Sequence, residues 1–265
     1  MIALDRLRIN LGGTTVVHDV SLRVEPGERV GLIGASGSGK TLTALATIGL
    51  LPERAEVDGT IAVDGTDLTR ADDRAWTRVR GKHVAMVFQE PSLALNPLLT
   101  IGQQLMIPLR RLEGCDRREA WMRADAVCES VSLDVAVLHR RPHEVSGGQR
   151  QRACLAIALV RDPAVLVADE PTTALDPTVQ HEVLGLLDDL VRRRNLGLLL
   201  VSHDLAVVAA RTDRVVVLER GRIAENSPSE SLRTGGATSE AGRRLAAAAG
   251  GSDQRVRPLF GEGRP

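Results

Sequence analysis

Apolar and polar residues alternate over positions 2–9 and again over 16–24, with Leu11-Gly12-Gly13-Thr14 between the two runs. A period of two marks half-buried strands, so these runs predict a small antiparallel layer at the N-terminus. Pro26-Gly27-Glu28 reads as a turn, and the pattern then changes. Short continuous apolar runs at Arg29–Ile33 and at 84–88, 165–168, 198–201 and 215–218 predict strands buried on both faces, and 222–224 closes the series. Between them, 40–50, Ile101–Leu112, 117–131, 147–160 and Pro177–Arg194 have helical composition. Strands alternating with helices predict an α/β fold with a mainly parallel sheet. The stretch from about 91 to 150 interrupts the alternation and reads as an inserted helical subdomain, broken at Pro142-His143-Glu144. After Ala224 the chain becomes rich in Gly, Ala, Ser and Arg. Residues 1–225 are therefore expected to form the domain, and 226–265 a poorly ordered polar tail with a weak helix at 240–249.

Bulk properties narrow the function without altering this picture. Lys plus Arg and Asp plus Glu both number 34, so no whole-chain basic field argues for nucleic acid. No apolar run approaches the length that spans a bilayer. The first residues lack the apolar core of a secretion signal. Cys115, Cys128 and Cys154 are odd in number and widely spaced, which suits reduced thiols and not a disulfide frame or zinc site. The expectation is a cytosolic protein, attached to a membrane only through a partner.

The chemistry lies at the ends of the apolar runs. Gly34-Ala35-Ser36-Gly37-Ser38-Gly39-Lys40-Thr41 satisfies G-x-x-x-x-G-K-[ST], after a strand and before a helix. Backbone N–H groups of such a loop converge on a β-phosphate, Lys40 reaches the β- and γ-phosphates, and the Thr41 hydroxyl binds Mg²⁺. The fold class is therefore an α/β P-loop NTPase core with an N-terminal antiparallel β layer and an inserted helical subdomain. The strand 165–168 ends in Asp169-Glu170, and buried strands rarely end in adjacent carboxylates without compensation. Asp169 would face Mg²⁺ through water, and Glu170 would act as general base on the attacking water. Gln89, ending the strand 84–88, can reach Mg²⁺ and that water. Ser146-Gly147-Gly148-Gln149 opens the helix 147–160 and offers a second cluster of N–H groups for an anion. One nucleotide does not need two cradles in one chain. Two copies packed head to tail would use both, each nucleotide lying on one copy's phosphate loop and under the other's Ser146 turn.

These motifs, with Ala174-Leu175-Asp176 and with His203 at the end of the strand 198–201, resemble the ATP-binding cassette (ABC) ATPases, and in the same order. The resemblance covers nearly everything up to about residue 224. It implies that His203 holds the γ-phosphate and Glu170 in line and that Asp176 lies at a dimer interface. Val145 replaces the commoner Leu ahead of Ser146. A finer resemblance links Phe88-Gln89-Glu90-Pro91-Ser92-Leu93-Ala94-Leu95-Asn96-Pro97, Thr100-Ile101-Gly102 and Arg141-Pro142-His143-Glu144 to import ATPases for oligopeptides, dipeptides and nickel. Two departures stand against it: there is no cysteine after Cys154, and the family's Pro-His-x-Tyr-Thr stretch is absent, with Gly236-Ala237-Thr238-Ser239-Glu240 as the nearest counterpart. The resemblance implies an ATP- and Mg²⁺-dependent importer subunit on the cytoplasmic face of the membrane. Its partners would be a second ABC ATPase subunit, two integral-membrane permease subunits and an extracytoplasmic solute-binding protein. An exporter ATPase subunit, or a soluble ABC ATPase outside transport, stays open as the alternative. One position departs from the family. An aromatic residue that stacks on adenine usually precedes the first turn, and here Leu11 holds that place. The chain has no tyrosine and its first aromatic residue is Trp76, so the nucleotide is expected to be held mainly by its phosphates; His18 as a substitute contact is disfavoured, because it falls in the following strand pattern.

Overall fold

The computed structural model describes residues 1–90, 94–172 and 176–250. The alternating N-terminal runs form β1 (Ile2–Leu11) and β2 (Thr14–Val24), paired antiparallel with Ile2 opposite Val24 and Leu11 opposite Thr14. β4 (Ala55–Val63) pairs on the other edge of β1, and the short β5 (Thr66–Asp67) follows it, so this sheet has the order β2-β1-β4-β5. The sequence pattern had not marked β4, whose residues are mostly half-exposed and lack a clean alternation.

The central sheet holds β3 (Arg29–Ile33), β6 (Val84–Val87), β7 (Val165–Asp169), β8 (Gly197–Ser202), β9 (Arg214–Glu219) and β10 (Arg222–Pro228), in the order β10-β9-β3-β8-β7-β6. All pairs are parallel except β9 with β10. Successive side chains of a strand face opposite ways. Val165, Val167, Leu199 and Val201 thus join the core shared with β1, β2 and α1 (Lys40–Ala46). Leu166, Ala168, Leu198 and Leu200 join the core on the opposite face. That second core takes in α3 (Ile101–Leu112), α4 (Arg117–Ser130), α5 (Gly147–Leu159) and α6 (Pro177–Arg194). Burial on both faces is why these strands read as continuous apolar runs. Two further short helices are α2 (Asp73–Val79) and α7 (Leu205–Arg211).

The C-terminal stretch differs from its composition-based reading. β10 runs on to Pro228, followed by α8 (Ser229–Arg233) and α9 (Glu240–Gly250). Leu232, Ala237 and Ala241 are buried in the larger core, and Glu225 is buried beneath the start of α9. A few small apolar residues and one carboxylate suffice to dock a segment whose overall composition is polar. Residues 251–265 lie outside the described residues, as do Pro91, Ser92 and Leu93 and the pair Ala174-Leu175.

Candidate active site

β3 runs straight into the phosphate loop. Gly34 has no room for a side chain, since a Cβ there would lie 2.2 Å from the Leu218 carbonyl oxygen and 2.6 Å from Ser38 Oγ. Gly39 takes φ 99° at the start of α1, a conformation that L side chains rarely adopt. Lys40 is 7% exposed and folds back over the loop, its Nζ donating to Gly34 O at 2.9 Å and Ala35 O at 3.1 Å. Burial lowers its pKa, while the nearby charges of Glu170 and Asp169 oppose the shift. Ser38 Oγ is buried and has no hydrogen-bond partner, as expected of a polar group that awaits an anion.

Asp169 is buried at the end of β7. Burial pushes its carboxyl above the usual carboxylate range, the Thr41 hydroxyl hydrogen-bonds to it, and Glu170 and Lys40 act in opposite directions. Its Oδ1 is buried without a partner. The Thr41 hydroxyl and the unpaired Asp169 Oδ1 are hard oxygen donors that suit Mg²⁺. Among the described residues no cluster of three or more His, Cys, Asp or Glu side chains could cage a metal. Few protein oxygens and shared phosphates are the usual way Mg²⁺ is held, so the residues present fit the ion.

Glu170 sits just past Asp169 with φ 45°, and its N–H donates to Val201 O at 2.9 Å. Its carboxylate is held from both sides. Gln89 Nε2 donates to Oε2 at 3.1 Å, and His203 Nδ1 lies 3.1 Å from Oε1. A carboxylate only accepts, so the His203 proton in this contact sits on Nδ1. The three residues come from the ends of β6, β7 and β8, neighbours in the sheet. Together with Ser36, Gly37, Gly39, Lys40, Thr41, Leu42 and Val16 they line one cleft of about 490 Å³.

The other predicted residues lie elsewhere. Ser146 caps α5, accepting from Gln149 N–H at 3.2 Å, while Gln149 Oε1 accepts from Ser146 N–H at 3.0 Å. Ser146 and Gly147 are exposed, and no residue of this turn lines the cleft around Lys40. Gly148 lets α5 approach α6, because a Cβ there would lie 2.9 Å from Val179 Cγ1. Asp176 caps α6, accepting from Thr178 and Val179 N–H at 3.1 Å each, and is exposed. Leu11 ends β1 and does not line the cleft; Val16 does. His18 is engaged through its backbone, donating to Gly221 O at 2.7 Å.

Two residues had no motif to mark them. Val16 looked like any strand residue. Gln104 on α3 is buried and holds the segment after Gln89: its Oε1 accepts from Asn96 N–H at 2.9 Å, and its Nε2 donates to Asn96 O at 3.1 Å and Leu99 O at 3.2 Å. Leu98, in that segment, is 78% exposed.

The family model described as ABC transporter matches residues 17–173, more than half of the chain. The chain belongs to the ABC transporter family. A second model, for an AAA domain, matches residues 138–209 and overlaps the first. Among curated ABC relatives, the oligopeptide transport ATP-binding protein AppD of Bacillus subtilis is 41% identical, covering 82% of this chain and 67% of AppD. The oligopeptide transport ATP-binding protein OppD of Haemophilus influenzae is 39% identical over 83% of this chain and 69% of its own length. A Brucella melitensis protein named for peptide import and ATP binding is 46% identical over 80% of this chain. The chain spans 65% of the length of that relative. Among solved structures, the dimeric ATP-binding cassette MJ0796, in a post-hydrolysis state bound to ADP and Pi, matches with a TM-score of 0.75 at 27% identity, covering 86% of this chain and 99% of that one. CbiO1 of Clostridium perfringens shares the fold, with a TM-score of 0.76 at 23% identity over 87% of this chain and 89% of that one.

Proposed function

We propose that this chain is the ATP-hydrolysing subunit of an ABC importer that takes up peptides or a related small solute. The observation that carries the reading is the convergence of Gln89 and His203 on the Glu170 carboxylate, in the cleft that holds Lys40 and Thr41. Peptide as cargo follows the names of the AppD and OppD relatives. Residues 1–225 would be the nucleotide-binding domain with its helical insert at about 91–150, and the residues after 225 an appended segment.

ATP would lie with its phosphates over the loop 34–39, and Lys40 would exchange the carbonyls of Gly34 and Ala35 for phosphate oxygens. Thr41, Asp169 and Gln89 would hold Mg²⁺, which when bound offsets phosphate charge. Glu170 would accept the proton of the attacking water, oriented by the amide of Gln89, while His203 would hold the carboxylate in line. The exposed turn at Ser146–Gln149, with Asp176, would close over the nucleotide of a second ABC ATPase subunit, the same chain or a related one. Two permease subunits would bind at the cytoplasmic face of the membrane, with an extracytoplasmic solute-binding protein in the same system. Leu99, Met106 and Ile107 border a groove of about 480 Å³, and the exposed Leu98 precedes Leu99 in the segment that Gln104 anchors; this is the proposed permease face.

Leu98→Asp tests the reading, because the side chain is exposed and its removal leaves the core intact. In a transporter reconstituted with two partner permease subunits, transport should fall at least tenfold more than hydrolysis by the isolated chain, the scale of a lost apolar anchor of about 1.4 kcal/mol. Parallel loss of both would mean that the segment supports the fold and does not dock a permease.

A further inference from the structure

We propose that the space between the phosphate loop and α9 is a second ligand site, outside the nucleotide cleft, that takes a small aliphatic carboxylate. The inference goes beyond the nucleotide-binding reading above.

The β9–β10 turn is fastened on two sides. Gly221 N–H donates to Ser38 O in the phosphate loop at 3.0 Å. Arg244 of α9 pairs with Glu219 at the end of β9, and with Glu240 one turn back at 3.0 Å. Glu225 fixes the start of the helix through Thr238 and Ser239. Loop and helix are thus both tied to the turn, and a cavity of about 380 Å³ lies between them. Its walls are residues 34–38, the strand end 217–220, and Ala241, Arg244 and Leu245 of α9. No residue of β9 or α9 lines the Lys40 cleft. Ser36 and Gly37 border both spaces, so the loop is a partition with one space on either side. Ala241 belongs to the core on the face of the sheet opposite the one that holds α1.

The lining divides by chemistry. Ala35, Val217, Ala241 and Leu245 give it an aliphatic wall. Two polar groups are left over for a ligand. Ser38 lines this cavity and not the nucleotide cleft; it is 4% exposed, and its Oγ is buried without a partner. Arg220 lines the cavity too, and its guanidinium has no hydrogen-bond or ion-pair partner among the described residues. Arg244 and Glu219 offset one another, so the uncompensated charge of the lining is that of Arg220. A guanidinium and a hydroxyl donor beside an apolar wall suit a single carboxylate on a short hydrocarbon body. Glu219 in the wall would repel a polyanion such as a triphosphate, which sets this space apart from the Lys40 cleft.

The test is calorimetric titration of the full chain with hexanoate. Acetate supplies the charge without the body, and 1-hexanol the body without the charge. Wild type should bind hexanoate saturably, about tenfold or more tighter than either control. Asn tolerates the φ of 48° found at position 220. Arg220→Asn should therefore keep the turn, weaken hexanoate about tenfold or more, and leave Mg²⁺–ATP affinity within about threefold of wild type. Ala241→Leu fills the cavity and should abolish hexanoate binding, with its melting temperature showing whether α9 still docks. Lys40→Ala should lose ATP and keep hexanoate. In a Glu170→Gln background, saturating Mg²⁺–ATP should leave hexanoate bound. Displacement of hexanoate by ATP would put it in the nucleotide cleft and overturn the inference, while the nucleotide reading stood. Absence of saturable binding, or equal binding by wild type and Arg220→Asn, would overturn it as well. If wild type bound hexanoate but held ATP no better than Lys40→Ala, the nucleotide reading would fall and the second site would stand.

Discussion

Glu170 holds a backbone conformation, φ 45°, that costs a residue with a side chain on the order of 1–3 kcal/mol. The strain persists because the β7–β8 pairing and the bond from Glu170 N–H to Val201 O over-determine the position. Its effect is to turn the carboxylate out of the strand direction followed by Asp169, so the adjacent acids face different partners. Asp169 stays buried beside Thr41, and Glu170 turns to Gln89 and His203. Glu170→Gln preserves shape and removes the proton acceptor. Hydrolysis should fall roughly 10²–10⁴-fold, the scale of general-base catalysis, while Mg²⁺–ATP affinity changes little. Turnover and binding measured separately on the same preparation check this. Near-normal turnover would take the role of base away from Glu170.

At the scale of elements, the join between β10 and α9 depends on one carboxylate. Glu225 is 5% exposed and accepts from Thr238 N–H at 3.0 Å, Ser239 N–H at 2.9 Å, Ser239 Oγ at 2.7 Å and Ser227 Oγ at 2.8 Å. Burial by itself would raise its pKa. The N–H groups of Thr238 and Ser239 and the two hydroxyls outweigh burial and bring the pKa down to about 2. Ser239 Oγ in turn accepts from Gly242 N–H at 2.8 Å, so the same cluster caps α9. The folded-state pKa lies below the ordinary 4.5, so the ionised carboxylate stabilises the fold above that pH. The contribution is lost as pH falls toward about 2. Glu225→Gln places an amide against groups that only need acceptors. It should lower the melting temperature at neutral pH and free α9 to proteolysis ahead of residue 240. The gap to wild type should close as pH falls from 4.5 toward 2. A gap independent of pH would mean that shape and not charge holds the join.

For the whole molecule, the two proposed anion sites belong to different surfaces. The Lys40 cleft is lined by the phosphate loop and the ends of β6, β7 and β8, and the Ser146 turn is exposed away from it. The proposed head-to-tail pair of ATPase subunits would use both. Ser146→Arg places a long side chain on the closing face and leaves the phosphate loop untouched. In a Glu170→Gln background, sedimentation with Mg²⁺–ATP should show loss of the closed dimer, with nucleotide affinity of the monomer within about threefold of the parent. If monomer binding fell as far as dimerisation, the turn would be serving nucleotide in its own chain.

Much of this architecture was legible in the chain alone, wherever the controlling physics is local. The phosphate loop is eight consecutive residues whose backbone geometry their own glycines permit. The doubly buried strands are continuous apolar runs because both faces of the sheet are covered. The pairing of Gln89 with Glu170 joins residues 81 positions apart, and that of His203 with Glu170 joins residues 33 apart. Resemblance to a family put them in order, but contact depends on which strands are neighbours, and tertiary structure alone decides that. The same holds for Val16 in place of Leu11, since cleft lining follows from how the N-terminal sheet meets the β9–β10 turn. It holds for residues 226–250 as well. Their average composition reads as a solvated tail, yet Glu225 meets four donors, and the three from Thr238 and Ser239 become partners only once β10 pairs with β9 and brings the carboxylate beneath α9.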